Sequence, residues 1–149
     1  RRRMPQASGR YMRGPGRRYL PLACGILLRA CLADGEIERA RRCAAEAQAV
    51  LDETGERWYE PELTRLNGDI RAAGGDTAGA ERAYSRATEQ AARLGAGLWH
   101  RQAAERYSRL LAKRGELERA RAVLDESIAA LPGGRHRAAP ENERGGVDA

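Results

Sequence analysis

The stretch GEIERARRC, Gly35 to Cys43, returns as GELERARAV, Gly115 to Val123, with a looser echo, GDTAGAERA, at Gly75 to Ala83. The period is 40 residues, and each copy places alanine five positions after the glycine, at Ala40, Ala80 and Ala120. Gly55 and Gly95 fall midway, so glycine recurs every 20 residues from 35 to 115. Glycine readily takes the left-handed conformation that ends a helix, so each 20-residue block is predicted to be one helix and its turn.

The blocks between the glycines have helical periodicity. In LERARAVLDESIAAL, Leu117, Ala120, Val123, Leu124, Ser127, Ile128 and Leu131 recur at three- and four-residue steps, with Glu118, Arg119, Arg121, Asp125 and Glu126 on the other face. In TAGAERAYSRATEQAARL, Ala80, Ala83, Tyr84, Ala87, Ala91 and Leu94 form one stripe. Alanine suits close helix contact and is the best helix former. Nothing alternates as a half-buried strand would. Two helices per 40 residues, three times over, predict an all-α fold, an α-solenoid in which neighbouring hairpins bury one another's apolar faces.

Glycine, alanine five later, a small residue at Ala47, Ala87 or Ser127, and Pro132 after the last helix together resemble the tetratricopeptide repeat. Gly68, seven before Gly75, fits that motif, and Leu28 and Ser108 replace it in the first and third copies. The resemblance implies a right-handed α-solenoid of three helix pairs, about 19–54, 55–94 and 95–132, with helices of about 17 residues absorbing the long period. The segment GERWYEPELTRLNGDI, Gly55 to Ile70, is similar to a GERWxEAELxRLxGEL segment in the C-terminal repeats of large bacterial signalling proteins. Those join a class III nucleotide cyclase or a LuxR-type DNA-binding domain to a P-loop ATPase and then to such repeats. The similarity spans roughly Asp34 to Leu131, with departures at Pro61 and Asn67; proline is tolerated in a first helical turn.

A phosphate-binding loop ends in Gly-Lys-Ser/Thr, but the only lysine, Lys113, is followed by Arg114. The glycine pairs at 74 and 133 are read as helix ends, and a cyclase's metal-binding aspartates would need a sheet. What the resemblance implies is therefore a non-catalytic piece of a signalling protein, with no cofactor and no metal. The opening on Arg1 and the 26 arginines against one lysine fit an internal piece of a protein from a GC-rich bacterial genome.

The net charge of +6 is concentrated in one place: residues 1–18 carry seven arginines and no acid, and the remainder carries 20 basic and 21 acidic residues. That N-terminal segment has too little apolar content to fold and is expected to be a disordered basic tail, as 133–149 is expected to be a disordered polar one. A solvated linker is the simpler reading; the alternative is a nucleic-acid contact, with Tyr11 and Tyr19 stacking on bases. The run LPLACGILLRACLA imitates a secretory signal, but Arg29 interrupts it and it is too short to span a bilayer. It sits where the period demands a first helix. Its apolar residues extend nearly all round, so an upstream helix or a second subunit is expected on the flank that its neighbour leaves.

Cys24, Cys31 and Cys43 are spaced unlike zinc ligands and lie among apolar residues, which predicts buried reduced thiols and, with no export signal, a cytoplasmic protein. His100, beside Trp99, and His136 have no nucleophile or acid nearby in the pattern. Trp58 and Trp99, 41 apart, are expected as packing wedges between repeats.

What remains is recognition of a protein or peptide, or of other domains of a parent chain. In tetratricopeptide arrays the first helix of each pair lines a concave groove, and that register carries over to Arg29, Arg65, Asp69, Glu105 and Arg109. Arginines so placed hold carboxylates by paired hydrogen bonds. The competing reading is a solvated helix surface, because Arg65 with Asp69 and Glu105 with Arg109 are four-apart pairs, worth about 0.2–0.5 kcal/mol each.

Overall fold

The computed structural model describes residues 15–131, all helical apart from the connections, with no strand among them. A 3-10 turn, Pro15–Tyr19, leads into α1 (Leu20–Ala33), α2 (Ile37–Thr54), α3 (Glu60–Ala73), α4 (Thr77–Arg93), α5 (Gly97–Lys113) and α6 (Leu117–Ala129). The helices run from 13 to 18 residues: α2, α4 and α5 are close to the expected 17, and α1, α3 and α6 are shorter.

All five spaced glycines are left-handed, with φ between 63° and 83° at Gly35, Gly55, Gly75, Gly95 and Gly115. At four of them the next amide reaches back to close the helix: Glu36 N–H donates to Cys31 O at 2.8 Å, Asp76 to Arg71 at 2.9 Å, Ala96 to Ala91 at 2.9 Å and Glu116 to Leu111 at 3.0 Å. This closure satisfies carbonyls that a helix end would otherwise strand. The Asp76 carboxylate also caps α4 by accepting from Gly79 N–H at 2.8 Å. Pro21 and Pro61 sit in the first turns of α1 and α3, where a missing N–H costs little.

Each helix packs on the next, and α3 packs additionally on α1 and α5. The core joins Leu28, Cys31, Ala40, Ala47, Leu51, Leu63 and Leu66 across α1, α2 and α3. Further along, the buried positions become alanines, among them Ala80, Ala87, Ala91, Ala103 and Ala104. Each fully buried leucine contributes about 1.5–3 kcal/mol, whereas an alanine contributes mainly by letting backbones approach.

Two glycines inside helices serve packing. A Cβ on Gly25 would lie 1.8 Å from the Tyr59 hydroxyl, and one on Gly68 would lie 2.5 Å from the Tyr84 ring. Tyr59 stands edge-on between Trp58 and Trp99, at centroid distances of 5.3 and 5.7 Å. The three cysteines are buried and free; burial pushes the Cys24 thiol up to about 11 and raises Cys43 also.

The N-terminal segment needs one correction. Residues 15–18, expected in a disordered tail, belong to the 3-10 turn, where α2 and the connection after it supply counter-charges: Glu53 to Arg17, and Glu56 to Arg18 at 3.2 Å. Residues 1–14 and 132–149, with Pro132, Gly133, His136 and most of both expected tails, lie outside the described residues.

Candidate functional site

A groove of about 730 Å³ runs across α1, α3 and α5, with Tyr84 of α4 at its wall. Apolar residues at 40-residue intervals line it: Leu32, Ala72 and Ala112, with Ala33 and Ala73 beside them. Its charged residues are Arg29, Asp69, Arg106, Arg109 and Lys113, four cations and one carboxylate.

The carboxylate is occupied. Asp69 Oδ2 accepts from Arg65 Nη1 at 2.7 Å, and Oδ1 accepts from the Tyr84 hydroxyl at 2.7 Å, with Arg106 Nε 3.5 Å away. Behind it, Arg65 donates twice to Glu62, Nε to Oε2 at 2.8 Å and Nη2 to Oε1 at 2.7 Å. Arg65 and Glu62 are 4% and 1% exposed, so this is a buried ion pair with its hydrogen bonds made. Burial works against the Arg65 charge, and the hydrogen bonds and fields of Glu62 and Asp69 outweigh it, raising its pKa. Tyr84 is pushed up by burial, then by the charge of Asp69 and the bond to it. On the α1 side, Arg29 Nη1 lies 4.0 Å from Glu62 Oε1.

The network thus neutralises its own acids from beneath. Two of the groove's cations remain free of it: neither Arg109 nor Lys113 meets a carboxylate among the described residues. The surface presents excess positive charge over a small apolar floor, which suits an extended anionic segment.

Of the residues expected on this face, Arg29, Asp69 and Arg109 line the groove. Arg65 is buried beneath it and braces Asp69. Glu105 stands outside, accepting from Arg101 Nε at 3.1 Å on the same helix. Arg106, Lys113, Tyr84 and Glu62 were not anticipated, although Glu62 is three residues before Arg65, a spacing that signals a helical ion pair.

Among the described residues, no three His, Cys, Asp or Glu side chains converge as metal ligands would, and no helix is long and apolar enough to cross a membrane. Comparison with family models, curated proteins and solved structures gives no match.

Proposed function

We propose that the chain is a right-handed α-solenoid of three tetratricopeptide-like pairs, acting as a non-catalytic interaction module within a larger bacterial signalling or transcription-regulating ATPase. In this reading the groove receives an acidic, extended segment of a partner protein or of another domain of the parent chain, in the cytoplasm. The carrying observation is the charge arrangement: Asp69 is held by Arg65 and Tyr84, while Arg109 and Lys113 stand beside it without a counter-charge among the described residues. The 40-residue spacing of Arg29, Asp69 and Arg109 along the three first helices supports the repeat reading.

The test is fluorescence anisotropy with a labelled, glutamate-rich dodecapeptide. Binding should weaken as salt rises. Arg109→Glu with Lys113→Glu should reduce affinity about tenfold or more, equivalent to about 1.4 kcal/mol, with an unchanged circular dichroism spectrum. Equal binding by this double variant would sink the groove reading.

The alternative, a nucleic-acid contact through residues 1–18, loses two of its seven arginines to Glu53 and Glu56. Titrating the chain with and without residues 1–18 against an oligonucleotide separates the readings, since only a tail-driven contact would vanish on deletion.

A further inference from the structure

Cys24, Leu28 and Cys31 follow one another at four- and three-residue steps, so they share a face of α1; Ala40, Cys43 and Ala47 share a face of α2 in the same way. All six are buried in one core, and α1 and α2 pack directly on each other. The two faces bring sulfurs together. Cys43 makes a side-chain hydrogen bond with Cys31, and the charge of Cys43 is felt at Cys24. All three thiols are free.

Helix geometry decides which of them can bond. Cys24 and Cys31 lie on one helix, seven residues and therefore about 10.5 Å apart along its axis, and a disulfide needs its Cα atoms within about 7 Å. A disulfide within the folded chain must then use Cys43. The thiol it already meets is that of Cys31, at the close approach that Ala40, Ala44 and Ala47 allow.

We propose that Cys31 and Cys43 are a disulfide site, at which oxidation by a low-molecular-weight disulfide ties α1 to α2. One cysteine, as its thiolate, attacks a sulfur of the oxidant, forming a mixed disulfide and expelling one small thiolate. The second cysteine then attacks the protein sulfur of that mixed disulfide and expels the other. The two protons lost by the cysteines go to the two small thiols, so the oxidant gains the two electrons that the protein loses.

Cys31 is 2% and Cys43 6% exposed, so attack runs through a state in which α1 has lifted away. That opening breaks the contacts of α1 with α2, α3 and the 3-10 turn. Arg29 and Leu32, on either side of Cys31, line the groove, and the bond fixes that wall against α2. In a reducing compartment such a bond is transient and acts as a redox response. The site stands whatever the groove binds.

Trypsin separates the three cysteines, because cleavage after Arg18, Arg29, Arg39, Arg42 and Arg57 leaves Cys24 in 19–29, Cys31 in 30–39 and Cys43 in 43–57. The full chain is incubated with oxidised glutathione in sub-denaturing urea, alkylated and digested. It should lose two of its three free thiols, with 30–39 linked to 43–57 and 19–29 alkylated. Cys24→Ala should keep the link, Cys31→Ala should abolish it, and the oxidised chain should unfold at higher urea than the reduced one. In fully denaturing urea the shorter loop closes more readily, so the pairing should shift toward 19–29 with 30–39. Three alkylated thiols throughout, a dominant link from 19–29 to 43–57, or the same pairing in low and high urea would each overturn the proposal.

Discussion

Tyr59 and Tyr84 are both buried, and each lies over a glycine of a neighbouring helix, yet their hydroxyls fare differently. Tyr84, between α3 and α4, donates to Asp69 and closes the charge network beneath the groove. Tyr59, between α1 and α3, has a buried hydroxyl with no hydrogen-bond partner. The contact at Tyr84 thus combines shape with electrostatics, whereas the contact at Tyr59 rests on shape and leaves a polar atom over. An unpaired hydroxyl in apolar surroundings costs about 1–3 kcal/mol, so the two tyrosines should respond oppositely to the same substitution.

The largest expected effect removes the support of the Tyr84 side. Arg65→Ala leaves Glu62 buried with both of its hydrogen bonds lost and only Arg29, at 4.0 Å, as a counter-charge, and should destabilise the fold by about 3 kcal/mol in urea unfolding. A loss under about 1 kcal/mol would show that water reaches Glu62 readily.

Next come the glycines. Gly68→Ala and Gly25→Ala each overpack a tyrosine and should cost about 1–3 kcal/mol. Their rescues should differ. The closest atom to a Cβ at Gly25 is the Tyr59 oxygen, at 1.8 Å, with the ring carbon at 2.9 Å. Tyr59→Phe should therefore recover part of the loss. At Gly68 the clash is with ring carbons at 2.5 and 2.7 Å, so Tyr84→Phe should recover none. Equal rescue at both sites would erase the distinction.

Smaller effects follow from the hydroxyls alone. Tyr84→Phe should cost about 1.5 kcal/mol, since its bond is to a charged acceptor, and Tyr59→Phe should be neutral or stabilising. Thermal melts of the two variants check this directly.

Least, and graded, is the response to alkali. Burial, followed by the nearby Glu62, pushes Tyr59 up to about 12, and burial followed by Asp69 raises Tyr84. In the unfolded chain tyrosines ionise near about 10. Below that pH neither state gives up the proton and the full contribution stands; above it the unfolded state ionises first, so stability falls as pH climbs toward about 12. Urea midpoints measured across this window should decline less steeply in both phenylalanine variants.

The helix boundaries were legible because glycine at 35, 55, 75, 95 and 115 has one local job, and nothing tertiary competes for it: no atom lies within 4 Å of where their Cβ would be. The groove was legible in part. Positions 29, 69 and 109 point the right way because the 40-residue register is kept; 65 and 105 do not share one environment, since Arg65 is enclosed by Glu62 and Asp69 while Glu105 meets Arg101. Gly25 and Gly68 look alike in sequence to any helix glycine. Their purpose depends on tyrosines 34 and 16 residues away, which periodicity does not reveal.

The placement of α3, in contact with α1, α2, α4 and α5, also sets the order of events in time. Every extensive helix contact joins elements at most two apart along the chain. Loop closure is then a small entropic barrier, and acquisition of structure belongs to the microsecond-to-millisecond class of local topologies. α3 gathers partners from both directions, so the nucleus forms around it and the ends join last. On the return path the ends should fray first, and amides of α3 should be the slowest to exchange with solvent.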